Sequence, residues 1–221
     1  MKRLFIYVEG QTEEAFVNSL LSPHFLSLGM SVTAILARTK RTRSGMTFKG
    51  GITSYERVRQ DIQRLLGDTS VAAVTTLIDY YNLPSTFPGM ADRREGSCYD
   101  RVYHLETELE RDVNHPRFIP FLILHEFEAL LFAEPDKIDA AFPDGTQSGR
   151  LEQEASRFAS PEEINEGTTT HPAARILRYY SGYVKPVYGP LIAQRIGLDI
   201  IRSQCPHFES WMECLESLAT T

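Results

Sequence analysis

The chain has 221 residues, of which 42% are hydrophobic and 24% charged, a composition typical of a globular protein. This composition excludes collagen and long coiled coils, and the net charge of −6 argues against a protein that coats nucleic acid nonspecifically. No apolar run approaches the roughly 20 residues that a membrane helix needs, and the first residues do not resemble a signal peptide. Because three cysteines at wide spacing do not form a disulfide framework, we expect a cytoplasmic protein with reduced thiols.

Basic side chains are concentrated in two segments, residues 15–55 and 167–198, that contain no Asp or Glu. Within an acidic protein, such segments could bind a polyanion, or they could form a solvated loop and an ordinary helix face. Their basic residues are Arg38, Lys40, Arg41, Arg43 and Lys49 in the first segment, and Arg175, Arg178, Lys185 and Arg195 in the second.

Apolar runs alternate with helical periodicity along the first 135 residues. We predict helices that begin near Thr12, Ser54 and Ser97, and a helical composition continues over residues 125–132. The resulting order β-α-β-α-β-α-β-α predicts an α/β fold, with a parallel sheet of about four strands between helices. The predicted strands are residues 3–8, 31–37, 71–78 and 117–124.

Residues 136–221 differ from the preceding part because they contain helical segments and no further strand pattern. We therefore predict a catalytic core at residues 1–135 and a helical region at 136–221 that packs on it. Four tyrosines of this region could stack on bases or could pack in the interior. They are Tyr179, Tyr180, Tyr183 and Tyr188.

A carboxylate ends three of the four predicted strands: Glu9, Asp79 and Glu126. Ligands of open α/β sheets bind beyond the carboxyl ends of the strands, where these side chains would meet. Neighbouring carboxylates repel one another unless a cation neutralises them, and oxygen ligands favour Mg²⁺ or Mn²⁺. Each residue also has a simpler alternative, since Glu9 and Glu126 can stabilise helix N-termini and Asp79 can form a turn.

Three segments stand out as motifs: VEGQTEEAFV (residues 8–17), LIDYY (77–81) and HEFEALL (125–131). They resemble motifs of Toprim domains and of the domain-of-unknown-function family 4276. The resemblance implies a Toprim-like, Rossmann-like fold and Mg²⁺-dependent chemistry on phosphodiesters, as in Toprim nucleases of overcoming-lysogenisation-defect type. The second Toprim motif is normally Asp-x-Asp, whereas this chain has Asp79-Tyr80-Tyr81. Either Glu126 or Glu128 would then replace the second aspartate, or catalysis is lost.

We therefore predict a metal-dependent nuclease in which Glu9, Asp79 and Glu126 bind Mg²⁺ or Mn²⁺ and activate water. Glu13, one helical turn after Glu9, would bind a second metal ion or only stabilise its helix. Lys49, beside two glycines, would neutralise charge on the phosphate. The residues predicted to hold the DNA or RNA backbone are Arg38, Lys40, Arg41, Arg43 and Lys185.

The resemblance also implies partners, because members of this family are often encoded beside ATPases of the structural-maintenance-of-chromosomes type. The nuclease would then be the effector of a phage-defence system, and a homodimer is possible. The alternative is a catalytically degenerate Toprim domain that acts as a binding or regulatory partner of an ATPase. The missing second aspartate favours this alternative, whereas Glu126 and the basic segments favour the nuclease.

Overall fold

A five-stranded parallel sheet lies at the centre of the protein, which is described by a computed structural model over residues 1–37, 52, 54–92, 95–142, 147–164 and 167–220. The strand order is β2-β1-β3-β4, and β5 also pairs with β3. All strand pairs are parallel. The strands are β1 (Lys2–Val8), β2 (Met30–Leu36), β3 (Ala73–Asp79), β4 (Phe118–Ile119) and β5 (Leu122–Ile123).

Helices connect the strands and make up most of the second half of the described chain. The first two are joined by a π-helical turn, Val17–Leu21. No helix of the described ranges is both long enough and apolar enough to cross a membrane. The helices are α1 (Gln11–Phe16), α2 (Ser22–Ser27), α3 (Tyr55–Leu66), α4 (Cys98–Val113), α5 (Glu128–Leu131), α6 (Pro135–Asp139), α7 (Arg150–Ala155), α8 (Pro172–Tyr179), α9 (Lys185–Ile196), α10 (Leu198–Gln204) and α11 (Pro206–Thr220).

Both faces of the sheet are covered, because successive side chains of β1 enter different hydrophobic cores. One core contains Leu4, Ile6 and Val8 together with side chains from α1, α2 and the C-terminal helices. The other contains Phe5 and Tyr7 with the apolar faces of α3 and α4. This arrangement confirms the predicted α/β fold. Residues before and after position 135 share the first core, and the domain boundary itself stays a prediction.

The fourth strand was predicted over residues 117–124, and the structure contains two short strands there instead. Pro120 separates β4 from β5 and has no N–H to donate to the sheet. The hydroxyl of Thr76 bridges the break, because Thr76 Oγ1 donates to Phe121 O and accepts from Phe121 N–H, each at 2.8 Å. A side chain therefore replaces the missing backbone pairing, and both short strands still pair with β3.

The turn after β5 is also less helical than predicted. Only Glu128–Leu131 forms a helix within residues 125–132. His125 has a left-handed backbone with φ of 62°, which is uncommon for a residue other than glycine. The first helix, predicted to begin near Thr12, begins at Gln11 with Gly10 as its N-cap.

Candidate functional site

The three carboxylates predicted from the strand ends lie together. Glu9 follows β1, Asp79 ends β3 and Glu126 follows β5, and all three line one cavity of about 210 Å³. The loops that carry Asp79 and Glu126 are joined by two backbone hydrogen bonds, Tyr80 N–H to Ile123 O at 3.0 Å and Tyr81 N–H to His125 O at 2.6 Å. Parallel pairing of β1, β3 and β5 is therefore what brings these acids to one edge of the sheet.

Each carboxylate oxygen of Asp79 has a hydrogen-bond partner. Its Oδ1 accepts a hydrogen bond from Phe127 N–H at 2.8 Å, and its Oδ2 lies 2.8 Å from Lys185 Nζ. Burial raises the pKa of Asp79 well above its usual range, the Lys185 charge opposes this rise, and neighbouring glutamates add to it. The ionised form of Asp79 therefore depends on Lys185 as its counter-ion.

Two further glutamates complete an acidic cluster, which we define as Glu9, Glu13, Asp79, Glu126 and Glu128. Glu13 Oε2 accepts a hydrogen bond from Gly10 N–H at 2.9 Å, so Glu13 does stabilise the start of α1. Glu128 is fully buried, and its Oε1 accepts a hydrogen bond from the Tyr183 hydroxyl at 3.0 Å. Burial raises the pKa of Glu128, whereas the Lys185 charge lowers it.

Lys185 lies inside this cluster, although it was predicted from the sequence to bind the nucleic-acid backbone. Its Nζ is 2.8 Å from Asp79 Oδ2, 3.2 Å from Glu128 Oε2 and 3.5 Å from Glu13 Oε1. The side chain as a whole is 31% exposed, while its amine contacts buried acids. Burial lowers the pKa of Lys185, but these carboxylates outweigh that effect and raise it well above its usual range.

A close approach of α9 to α1 and to the turn before α5 places Lys185 in the cluster. Gly189, one turn further along α9, has no side chain, and a Cβ there would lie 3.2 Å from both Phe127 Cε1 and Thr12 Cγ2. Thr12 belongs to α1 and Phe127 to the turn before α5. Glycine at this position therefore allows α9 to pack directly against the two segments that carry the acids.

We expect Gly189→Ala to lower the free energy of unfolding by roughly 1–2 kcal/mol, because overpacking outweighs the better helix propensity of alanine. Gly182→Ala is the matched control, since a Cβ at Gly182 meets no atom within 4 Å. We expect the control to change stability by less than about 0.5 kcal/mol. Urea denaturation of both variants measures the difference, and equal stabilities would contradict the close packing of α9.

Glu126 is held by the start of α8. Its Oε1 accepts hydrogen bonds from His171 Nδ1 at 2.7 Å and from Ala173 N–H at 2.6 Å. The His171 ring stacks on Tyr81, with ring centroids 5.1 Å apart and an interplanar angle of 20°. The hydrogen bond that His171 makes to Glu126 raises the pKa of His171 against the opposing effect of burial. The sequence prediction missed His171, because nothing in its local pattern distinguishes it from an ordinary residue before a helix.

The surroundings of Glu9 disfavour the charged form of its carboxyl group. Burial and the neighbouring Glu13 charge raise the pKa of Glu9 from 4.5 to about 7, although Lys185 and a hydrogen bond from the Asp79 backbone oppose the rise. Near neutral pH, Glu9 is therefore poised between its neutral and charged forms. A divalent cation beside it would favour the charged form.

Replacing Glu9 with Gln is expected to stabilise the metal-free protein at alkaline pH. The folded-state pKa of Glu9 lies above its ordinary value, so ionisation costs the folded state more than the unfolded state. The free energy of unfolding of Glu9→Gln should equal that of wild type at pH 4 and exceed it increasingly as the pH rises to 7. The difference should reach on the order of 1–3 kcal/mol at pH 8. Urea unfolding in EDTA measures it, and an advantage that is independent of pH would contradict the raised pKa.

The donor chemistry of the cluster fits a hard divalent cation, because its ligands are carboxylate oxygens. Within the described ranges, no group of three or more His, Cys, Asp or Glu side chains is arranged so that it could hold a metal ion. Cation binding therefore requires side chains to move. Lys185 is in contact with three of the acids and would have to release Asp79 Oδ2 if that oxygen bound a cation.

Five predicted site residues lie outside the described residues. Four of them were predicted to bind nucleic acid: Arg38, Lys40, Arg41 and Arg43. The fifth is Lys49. Two of the four tyrosines of the C-terminal part are buried, and Tyr179 and Tyr188 are partly buried against the same core. Tyr180 and Tyr183 are each 6% exposed, and the Tyr179 hydroxyl donates to Glu154 Oε1 at 2.6 Å.

Comparison with known proteins identifies the family. A family model described as "Domain of unknown function (DUF4276)" matches residues 8–216. Among solved structures, the "C-terminal region of the Burkholderia pseudomallei OLD protein" is similar, with a TM-score of 0.44 and 18% identity over 98% of this chain and 99% of that chain. No curated protein matches the chain. The family match spans nearly the whole sequence and confirms the resemblance of the motifs: the chain belongs to the DUF4276 family.

Proposed function

We propose that this protein hydrolyses phosphodiester bonds of nucleic acid with the help of Mg²⁺ or Mn²⁺. The observation that carries this proposal is that Glu9, Asp79 and Glu126, which are far apart in sequence, line one cavity at the carboxyl edge of a parallel sheet. Such an edge is where α/β proteins bind ligands. Clustered carboxylates with raised pKa values are also a common property of functional sites.

In the proposed mechanism, Glu9, Asp79 and Glu126 hold the cation, and Glu13 is the candidate ligand of a second one. A bound cation would polarise the phosphodiester and lower the pKa of attacking water. Lys185, once released from Asp79, would contact a phosphate oxygen and stabilise the negative charge that develops there. We assign the same charge-stabilising role to Lys49.

Nucleic acid would be held by the basic segment that contains Arg38, Lys40, Arg41 and Arg43. Contacts of this kind bind the phosphate backbone without reading sequence, and each releases counterions. Substrate affinity should therefore fall steeply as salt concentration increases. The proposed ATPase partner and the role in phage defence rest on the family resemblance alone, and the homodimer stays a prediction.

The second candidate function is a catalytically degenerate domain that binds or regulates an ATPase. Two observations favour it: Tyr81 stands where the second aspartate of Toprim domains is expected, and Lys185 already neutralises Asp79. A lysine in contact with three carboxylates can serve as a permanent counter-ion in a protein that binds no metal. The two functions differ in whether the acidic cluster takes up a divalent cation.

A cleavage assay tests the proposed function. End-labelled plasmid, single-stranded DNA and tRNA are incubated with wild type, Glu9→Gln and the control Glu152→Gln, whose exposed carboxylate on α7 lies outside the cluster. We expect cutting in Mg²⁺ or Mn²⁺ that EDTA and Glu9→Gln abolish and that Glu152→Gln leaves unchanged. Equal cutting by wild type and Glu9→Gln would reject this site, and no cutting of any substrate would favour the degenerate domain.

A further inference from the structure

One carboxylate oxygen of Glu126 accepts hydrogen bonds from both His171 and Ala173. Ala173 N–H already binds Glu126 Oε1 at 2.6 Å, which satisfies one of the free N–H groups at the start of α8. His171 Nδ1 adds a second hydrogen bond to the same oxygen at 2.7 Å. Two donors on Oε1 fix the rotation of the carboxylate. The other oxygen, Oε2, has no hydrogen bond to any part of the chain that the structure describes.

The His171 ring is itself held in place. It stacks on Tyr81, and Tyr81 lines the same cavity as Glu9, Asp79 and Glu126. The stack limits rotation of the imidazole plane, and the hydrogen bond then transmits that constraint to the carboxylate. Tyr81 is joined in turn to the Glu126 loop by its backbone bond to His125 O.

We propose that His171 is a positioning residue for Glu126, holding Oε1 so that Oε2 is presented to a divalent cation in the cavity. The inference rests on the proposed function, because it assigns Glu126 as a cation ligand. Hydrogen bonds to ligating carboxylates fix their orientation, and loss of such a partner typically costs 10–100-fold in metal affinity. His171 belongs to the part of the chain after residue 135, so that part contributes directly to the predicted metal site.

Two substitutions separate the hydrogen bond from the ring. His171→Phe keeps an aromatic ring to stack on Tyr81 but removes the donor. His171→Asn loses the ring but keeps an N–H near the position of Nδ1, and asparagine is also a good residue before a helix. If the contact only stabilised α8, His171→Phe would lose stability without a specific change in cation affinity.

The experiment is calorimetric titration of Mn²⁺ into wild type and both variants, with thermal unfolding in EDTA as the measure of folding. We expect His171→Phe to bind Mn²⁺ about 10–100-fold more weakly than wild type, and His171→Asn to remain within about threefold. Equal affinities of wild type and His171→Phe would overturn the inference and leave the proposed function intact. No Mn²⁺ binding by the folded wild type would overturn both, so the two failures are distinguishable.

Discussion

Lys185→Met is expected to destabilise the metal-free protein by about 3 kcal/mol at pH 8, the lower end of the range for breaking a buried ion pair, because 31% of the lysine side chain is exposed. Methionine keeps most of the length of the side chain and removes its charge. Asp79, Glu128 and Glu13, which contact Nζ at 2.8–3.5 Å, are then left without their counter-ion. Urea denaturation in EDTA measures the loss.

The stability loss in Lys185→Met should also depend on pH and on Mn²⁺. Burial already raises the pKa values of Asp79 and Glu128, and both carboxyls are more easily protonated once the lysine is gone, so the loss should shrink towards pH 5. Millimolar Mn²⁺ should restore more stability to the variant than to wild type, since the ion can replace the amine as counter-ion.

Lys137→Met, which removes a partly exposed pair with Glu134, is the control and should cost less than about 1 kcal/mol. Equal losses in the two variants would contradict the role of Lys185.

Asp79→Asn is expected to reduce cleavage on the order of 10³-fold, equivalent to about 4 kcal/mol of lost transition-state stabilisation. The amide oxygen of asparagine can still accept the hydrogen bond from Phe127 N–H, so the loop between β5 and α5 should keep its shape. What is lost is the charged Oδ2, which now faces Lys185 and in the proposed mechanism binds the cation.

Initial rates on the substrate that wild type cuts, at saturating Mn²⁺, measure the effect of Asp79→Asn. Asp136→Asn is the matched control, because Asp136 is an exposed aspartate on α6 outside the acidic cluster. Its rate should equal that of wild type. A rate for Asp79→Asn within tenfold of wild type would show that Asp79 does not bind the reactive cation.

Much of the fold could be predicted because its local signals agree with its tertiary structure. The strand at residues 3–8 is a run of β-forming residues, and β1 ends at Val8 as expected. Ser54 was expected to begin the second predicted helix, and it is the N-cap of α3. Such elements are specified by residues within them, so no knowledge of distant contacts is needed.

The errors fall where a distant group decides the local structure. The apolar run at 117–124 looks like one strand, but Pro120 cannot donate to the sheet, and only the hydroxyl of Thr76 lets pairing resume at β5. The helical composition of residues 125–132 hides the left-handed backbone of His125. Neither the compensating threonine nor the turn can be recognised from the residues nearby.

The same distinction applies to the candidate site. Glu9, Asp79 and Glu126 could be grouped from sequence, since parallel strands bring their carboxyl ends to one edge. Lys185 and His171 come from helices whose docking depends on tertiary packing, such as the close approach at Gly189. The only sequence signal for Lys185 was weak: it is the single lysine after Lys137 and lies in a segment without acids.

The most direct test of the account is whether the acidic cluster binds a divalent cation. Calorimetric titration of Mn²⁺ into the wild-type protein at pH 8 should give saturable binding between micromolar and millimolar concentrations, and the heat should be lost in Asp79→Asn while that variant remains folded. Absence of binding to wild type up to millimolar Mn²⁺ would contradict the proposed hydrolytic site and would assign Lys185 as the permanent counter-ion of a non-catalytic domain.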